Sequence, residues 1–430
     1  NSYHLNTCKY VILSYMLGLP FLKNSSKNLL DGTTNLIALD IGTEQLKSIL
    51  FSMGDIGIDI KKISRIDQQQ NAMSKGIITN LDTVLDNCRL SISELTSRLA
   101  DEELPKNVVM GIAGEYIQGV SIIVNYQREE NYDREVTQKE QNKIIGQIKA
   151  KIETNGKEDL GQRTGLRNED IDILHITHTG LEIGGMPVDS LIGYKGREVK
   201  LHFYASFAPK TYTEALRKVA QELGLEVIGI VSQPFSVARA FSGSSNRDFS
   251  AIFIDIGGGT TDIAVVDKGN VVETKMFAFG GRTFTKEIAK VLQIDTRHAE
   301  QRKIKYAEKE LTRELSNTIQ KIVYPVSKLW MKTLKTALSS CDDIDSFPPQ
   351  IYLCGGGALL PEMKGAMLEF PWKKYLPFTV VPRIEFFKPD RLDKIVDNSG
   401  ELKHVFDITP ASLTKFAYDL EISKNRNIKI

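Results

Sequence analysis

Two short stretches decide the reading of this chain: Leu39–Thr43, LDIGT, and Ile254–Thr261, IDIGGGTT. In each, an apolar run that reads as a buried strand ends on an aspartate, and a glycine follows two residues later. The aspartates, Asp40 and Asp255, are 255 − 40 = 215 residues apart. A strand that ends in Asp-x-Gly and turns straight back exposes its backbone N–H groups at the tip, where glycine lets a phosphate approach closely. Asp40, Gly42, Thr43 and Lys47 form the first loop, with Lys47 on the returning strand able to set an ammonium against a phosphate. Asp255, Gly257, Gly258, Gly259, Thr260, Thr261 and Asp262 form the second. One such turn alone reads as an ordinary β-turn. Two that face each other across a cleft can hold a polyphosphate and its Mg²⁺, with Asp40 and Asp255 reaching the metal through water.

The rest of the chain is long enough to build such a cleft. At 430 residues, with 41% hydrophobic and 25% charged, it has material for two or more cores. Its 55 basic and 54 acidic residues leave a net charge of +1, so no overall field draws it to nucleic acid, and no nucleic-acid partner is expected. Cys8, Cys88, Cys341 and Cys354 are scattered without CxxC spacing, which argues against a zinc site or a disulfide framework and fits a reducing cytoplasm. The apolar run Tyr10–Leu22 is interrupted by Pro20 and falls short of the roughly 18–20 residues that span a bilayer. Residues 1–34 are expected to be an N-terminal extension, disordered or not native, with a linker from Lys23.

Along the chain the pattern is that of an α/β layer protein. Asn35–Ser52 reads as strand, glycine turn, strand, and Asn80 caps a helix whose apolar residues Leu81, Val84, Leu85, Ile92 and Leu95 recur at helical period. Residues 126–172 change character: a charged helix over EVTQKEQNKIIGQIKAKIE, then a loop over TNGKEDLGQRTGLRNED, which reads as an inserted unit. Strand patterning resumes at DILHITHTGLEIGGMPV and EVKLHFYASFAP, and TYTEALRKVAQELGL is an amphipathic helix ending at Gly224. EVIGIVSQPFSVARAF gives strand, turn and a helix starting at Pro234. After the second loop a hairpin returns through DKGN, followed by a long polar helical stretch from Thr296, kinked or broken near Pro325. No repeat of 20–50 residues is present, so the paired loops are the internal echo.

Further candidates come from glycines and charges. CGGGALL, Cys354–Leu360, is a third glycine turn after a strand, a surface against which an adenine or ribose can lie at Gly355, Gly356 and Gly357, or else a packing turn. Glu300 and Lys303 are three apart on one helix face, suited to ribose hydroxyls and purine edges, or to a solvated ion pair. His175 and His178 stand three apart on a strand with no accompanying ligand cluster, and read as ordinary strand residues rather than a metal site.

The order of these pieces resembles the actin-like ATPase superfamily: phosphate loop, SQPFSVARAF connecting helix, second phosphate loop, GGRTFTKEIAKVL, AEQRKIKYAE, then CGGGALLP. Within it the chain resembles FtsA, the bacterial cell-division actin homologue, from about Leu36 to Leu420, through SKGIITNLDTVLDNCRLSISEL, DILHITHTGLEIGGMPV and IDIGGGTTDIAVV. The resemblance implies an actin-like, ribonuclease H-like α/β fold of duplicated domains around a nucleotide cleft, with a small inserted α+β (SHS2) domain. Its implied divisions are subdomain 1A at 35–104 and 205–243, subdomain 1C at 105–204, subdomain 2A at 244–290 and 350–422, helical subdomain 2B at 291–349, and a tail at 423–430. It implies ATP and Mg²⁺ as cofactors. Asp40 and Asp255 would hold the hydrated metal, and Gly42, Thr43, Lys47, Gly257, Gly258, Gly259, Thr260, Thr261, Gly280 and Gly281 would surround the phosphates. Glu300, Lys303, Gly355, Gly356 and Gly357 would hold the nucleoside.

Gln233 falls where relatives orient the attacking water; glutamine is a poor proton acceptor, so ATP would be hydrolysed slowly at most. The implied partners are FtsZ and other divisome proteins, further copies of the chain in a filament, and the inner face of the cell membrane at the division site. The ending EISKNRNIKI, with Ile422, Ile428 and Ile430, offers too little apolar face for a membrane helix, and TPASLTKFAYDL carries Lys415 and Asp419 where relatives are more apolar. An alternative is a PilM-like cytoplasmic adaptor of a type IV pilus or secretion platform. A sugar kinase would need a catalytic aspartate between the domains, and a DnaK-type chaperone a substrate domain after Leu420. Neither feature stands out in the sequence.

Overall fold

The strand carrying each aspartate has no exposed face. β1 (Leu36–Ile41) and its later counterpart β12 (Ala251–Ile256) are buried at every position, as strands at the centre of a covered sheet must be. The computed structural model of the chain describes residues 29–425 except 115, 244–245, 247 and 342–343, and no side chain at 178 or 425.

From β1 the chain turns through β2 (Gln45–Gly54) and β3 (Gly57–Asp67), a two-residue-strand hairpin β4 (Met73–Ser74) and β5 (Ile77–Ile78), and helix α1 (Leu81–Thr96), before β6 (Asn107–Ile112). The inserted unit follows as β7 (Gln118–Gln127), α2 (Gln138–Thr164), β8 (Ile171–Ile183), β9 (Met186–Val188) and β10 (Glu198–Pro209). Helix α3 (Lys210–Glu222), β11 (Glu226–Ser232) and α4 (Gln233–Ala240) complete the first half. The second half runs β12, β13 (Thr261–Asp267), β14 (Asn270–Phe277), α5 (Gly281–Leu292), α6 (Thr296–Ala307), α7 (Arg313–Ser339) and β15 (Gln350–Cys354). It ends with α8 (Pro361–Glu369), α9 (Trp372–Tyr375), β16 (Arg383–Phe386), β17 (Ile395–Asp397) and α10 (Ile408–Asn425).

Strand order shows the duplication that the loops hinted at. The first sheet runs β11-β6-β1-β2-β3-β17, and the larger one runs β16-β15-β12-β13-β14 before continuing into the insert as β7-β10-β8-β9. The five-strand pattern is the same in both: an antiparallel hairpin, β1–β2 or β12–β13, with parallel strands added outside its first member. The two hairpins even place their aspartates alike, Asp40 opposite Lys47 and Asp255 opposite Asp262. Between the sheets lies a shared core in which Ala38, Phe51, Phe253 and Tyr352 meet Phe235 of α4 and Leu413 and Phe416 of α10. A separate core forms under α5 to α8, with Trp330 at its centre, and another inside the insert.

Five expectations change. Residues 29–34 belong to the fold: Leu29 and Leu30 are buried in the shared core, and Gly32 N–H donates to Met53 O. The run Tyr10–Leu22 lies outside the described residues, as do Ile428 and Ile430. The segment TNGKEDLGQRT is not a loop but the second half of α2, which closes at Gly165 with φ 75°. Gly156 concealed this: a Cβ there would sit 2.5 Å from Phe207 Cε2, so glycine lets the helix press on β10 rather than breaking it. The helical break is not at Pro325, which lies at an exposed position inside α7, where a missing backbone hydrogen bond is open to solvent. The chain breaks at 308–312 instead, through left-handed Lys309 and the Thr312 N-cap.

The boundary expected at 204/205 falls inside β10, which pairs with β7 without a register shift and with β8 on both sides of that point. Last, not all of residues 350–422 stay with the second half: β15 and β16 do, but the chain from β17 onward does not. β17 pairs in parallel with β3, and α10 packs on α4 and β1, so the chain returns to the first half. Lys415 and Asp419 on α10 are accommodated as a partly buried pair at 2.6 Å, with Asp393 3.6 Å from the same ammonium.

Candidate functional site

Asp40, at the end of β1, is 4% exposed and accepts a 2.7 Å hydrogen bond from Gln233 Nε2, while Lys47 Nζ stands 3.7 Å from its other oxygen. The Gln233 amide thus points from the first turn of α4 to the Asp40 carboxylate. Asp255 is buried as well: Thr409 Oγ1, in the first turn of α10, donates to its Oδ2. Asp262, across the hairpin from Asp255, accepts a 3.2 Å bond from Thr260 on one oxygen, and its Oδ1 has no hydrogen-bond partner. Burial pushes all three carboxyls above their ordinary range, Asp262 furthest. Lys47 opposes the rise at Asp40, and the neighbouring aspartates add to it at Asp40 and Asp262. Three buried carboxyls with one ammonium among them make a site short of positive charge.

The loops themselves abut. A Cβ on Gly259 would lie 2.7 Å from Thr43 Oγ1, and one on Gly258 would lie 3.1 Å from Glu44 Cβ. Arg282, at the start of α5, clamps them: its guanidinium pairs with Glu44 and donates to Thr43 O at 2.8 Å and Met73 O at 3.2 Å. Gly257 N–H closes its own turn on Thr260 O at 2.9 Å. The donors of Gly281 and Arg282 are spent on Gly257 O and Gly258 O, so Gly280 and Gly281 brace the second loop from behind. Thr261 turns inward, its hydroxyl donating to Phe279 O and accepting from Trp330 Nε1.

Glu300 and Lys303 are not a solvated pair. Lys303 Nζ, buried, donates to Glu300 at 2.7 Å, Thr285 Oγ1 at 2.9 Å and Gly281 O at 3.2 Å, which ties α6 to the first turns of α5. The third turn follows β15 directly. Gly355 has φ 83° and donates to Val405 O at 3.2 Å, whereas Gly356 borders open space, with nothing within 4 Å of where a Cβ would sit. His175 bonds to Ser206 Oγ through Nδ1, and among the described residues no group of three His, Cys, Asp or Glu side chains could hold a metal ion. The side chain of His178 lies outside the described residues.

The structure thus brings both aspartates, Lys47, Gln233, Thr43 and the glycines of the second loop to one place, with the Gly355–Gly357 turn against Asp255 and Ile256. Sequence reasoning missed Glu44, Arg282 and Thr409. A single charge beside a glycine pair, or a threonine opening a C-terminal helix, carries no signal of its own before the chain is folded.

The family model for "Cell division protein FtsA" matches residues 252–370. This chain is similar to the FtsA proteins. It is 23% identical to FtsA of Pseudomonas aeruginosa over 277 residues, covering 63% of this chain and 61% of that protein. With FtsA of Neisseria meningitidis it shares 28% over 272 residues, 62% and 60% of the two chains. With that of Enterococcus hirae it shares 23% over 406 residues, 88% and 86%. The matches thus span 61%, 56% and 60% of the Pseudomonas, Bacillus and Neisseria FtsA proteins. Among solved structures it is similar to the "PilM-PilN type IV pilus biogenesis complex", with a TM-score of 0.64 at 14% identity over 90% of this chain and 99% of that one. That likeness concerns the actin-like fold.

Proposed function

We propose that this FtsA relative is an ATP-binding, actin-like cell-division protein that forms filaments, links FtsZ filaments to the inner membrane face, and recruits other divisome proteins. The observation that carries this reading is the extent of the FtsA match. Residues 252–370 take in Asp255–Asp262, Gly280 and Gly281, Glu300 and Lys303, and Gly355–Gly357. The segment matched by the FtsA model thus takes in the second wall of the candidate site.

The residues present fit Mg-ATP. The Asp262 oxygen without a partner and the excess of buried carboxyl over ammonium suit a cation held through water by Asp40 and Asp255. Lys47, Thr43 and the loop from Gly257 to Thr260 would take the phosphates, and the open face of Gly356 would take the nucleoside beside Glu300 and Lys303. Bound Mg²⁺ would supply charge neutralisation at the phosphates. Gln233, already donating to Asp40, can orient a water but is a poor base, so slow turnover at most is proposed. Among the described residues no helix is long and apolar enough to cross a membrane; contact with the inner membrane face is proposed, direct or through a partner.

The test is co-sedimentation with FtsZ polymers, with and without ATP. Retention that rises with ATP is expected. Indifference to FtsZ, together with retention of a pilus inner-membrane protein, would replace the divisome reading with the PilM-like one.

A further inference from the structure

Behind the loops, two helices join the aspartates by a buried chain of hydroxyls. Thr409 of α10, 3% exposed, donates to Asp255 Oδ2. One turn later Ser412 Oγ reaches Thr409 O at 2.7 Å and Ser236 Oγ of α4 at 2.8 Å. Ser236 Oγ in turn lies 2.9 Å from Gln233 O, and the side chain of Gln233 donates to Asp40. Ser236 and Ser412 have two hydroxyl hydrogens for these three contacts, so the link is shared rather than saturated. Both serines are shut off from solvent, at 1% and 0% exposed.

These groups lie outside both phosphate loops. Helix α10 begins against Asp255, so its N-terminal dipole and the Thr409 hydroxyl both favour a fixed, ionised carboxylate. Gly355 closes the other side of that carboxylate, which leaves Thr409 as the side chain that sets its rotamer.

We propose that Thr409 is a positioning residue for Asp255, and that Ser412, Ser236 and Gln233 tie it to Asp40, so that α4 and α10 hold the two metal-facing carboxylates as one unit. The inference rests on the Mg-nucleotide reading above. It predicts that the separation of the carboxylates, and with it the demand for Mg²⁺, is set by the helices rather than by the loops.

The experiment is ATP binding by the full chain, titrated with Mg²⁺ and repeated in EDTA. Thr409→Val keeps the volume and removes the hydroxyl. The Mg²⁺ concentration for half-maximal binding is expected to rise about tenfold or more, with binding in EDTA unchanged, as for other groups that orient a metal-facing carboxylate. Thr409→Ser restores the wild-type titration. If Thr409→Val does not fold, Ser236→Ala is read the same way, with a smaller rise in the same direction expected. A wild-type Mg²⁺ titration in the folded variant overturns the inference while leaving the nucleotide reading intact. Absence of Mg²⁺-dependent ATP binding in the wild type overturns both.

Discussion

Gly355→Ala is expected to lower nucleotide affinity by about 100-fold or more, because its consequences converge on one carboxylate. Gly355 has φ 83°, a conformation that costs an alanine about 1 kcal/mol or more. The added Cβ would collide with Asp255 Oδ1 and lie 2.5 Å from Ile256 O, both part of the second loop's strand. Asp255 cannot retreat, since its other oxygen is held by Thr409. The strand end must move, and Asp262 across the hairpin moves with it. Gly356→Ala is the comparison: a Cβ there meets nothing within 4 Å, so the fold keeps its melting temperature and nucleotide affinity alone falls. Calorimetric titration and thermal melts of both variants check this. Equal, wild-type-like affinity in Gly355→Ala would show that the third turn does not share a site with Asp255.

Acid is expected to loosen the insert through His175. This ring is enclosed by Tyr204, Phe235 and Phe416, bonds to Ser206 Oγ through Nδ1 at 2.9 Å, and leaves Nε2 without a partner. Burial depresses its pKa to about 3. An unfolded histidine titrates near about 6.5, so between that value and about 3 the unfolded state binds a proton that the folded state refuses. The contribution is complete above about pH 6.5 and falls by roughly 1.4 kcal/mol per pH unit below it, or about 2–3 kcal/mol by pH 4.5. In His175→Gln the difference in unfolding free energy between about pH 7 and about pH 4.5 should shrink by that amount, as measured by denaturant titration. An unchanged difference would mean the ring is protonated in the folded protein. Phe235 sits on α4 two residues from Gln233, so this cluster also joins the insert to the helix that reaches Asp40.

The duplication was legible because its signal is local and repeated. Asp-x-Gly at the end of an all-apolar strand dictates both a buried strand and a tight turn, and two copies dictate facing loops. The Asn80 cap and the turn at Gly224 were equally readable, since each depends on neighbours a few residues away. What escaped depends on contacts far apart in sequence. Gly156 and Pro325 look like helix breakers until Phe207 and open solvent are placed beside them. The return of 395–425 to the first sheet is carried by a strand of three residues, too short for any periodicity to show. Arg282 and Thr409 act on Glu44 and Asp255 across 238 and 154 positions, so their roles exist only in the folded chain.

The central claim is that the two Asp-x-Gly loops form the two walls of one Mg-nucleotide site. The most direct measurement is isothermal calorimetry of ATP in the presence of Mg²⁺, on the wild type and on Asp255→Ala. Saturable binding at a single site is expected in the wild type and none in Asp255→Ala, with the variant still folded by circular dichroism. Equal affinity in the two proteins would contradict it.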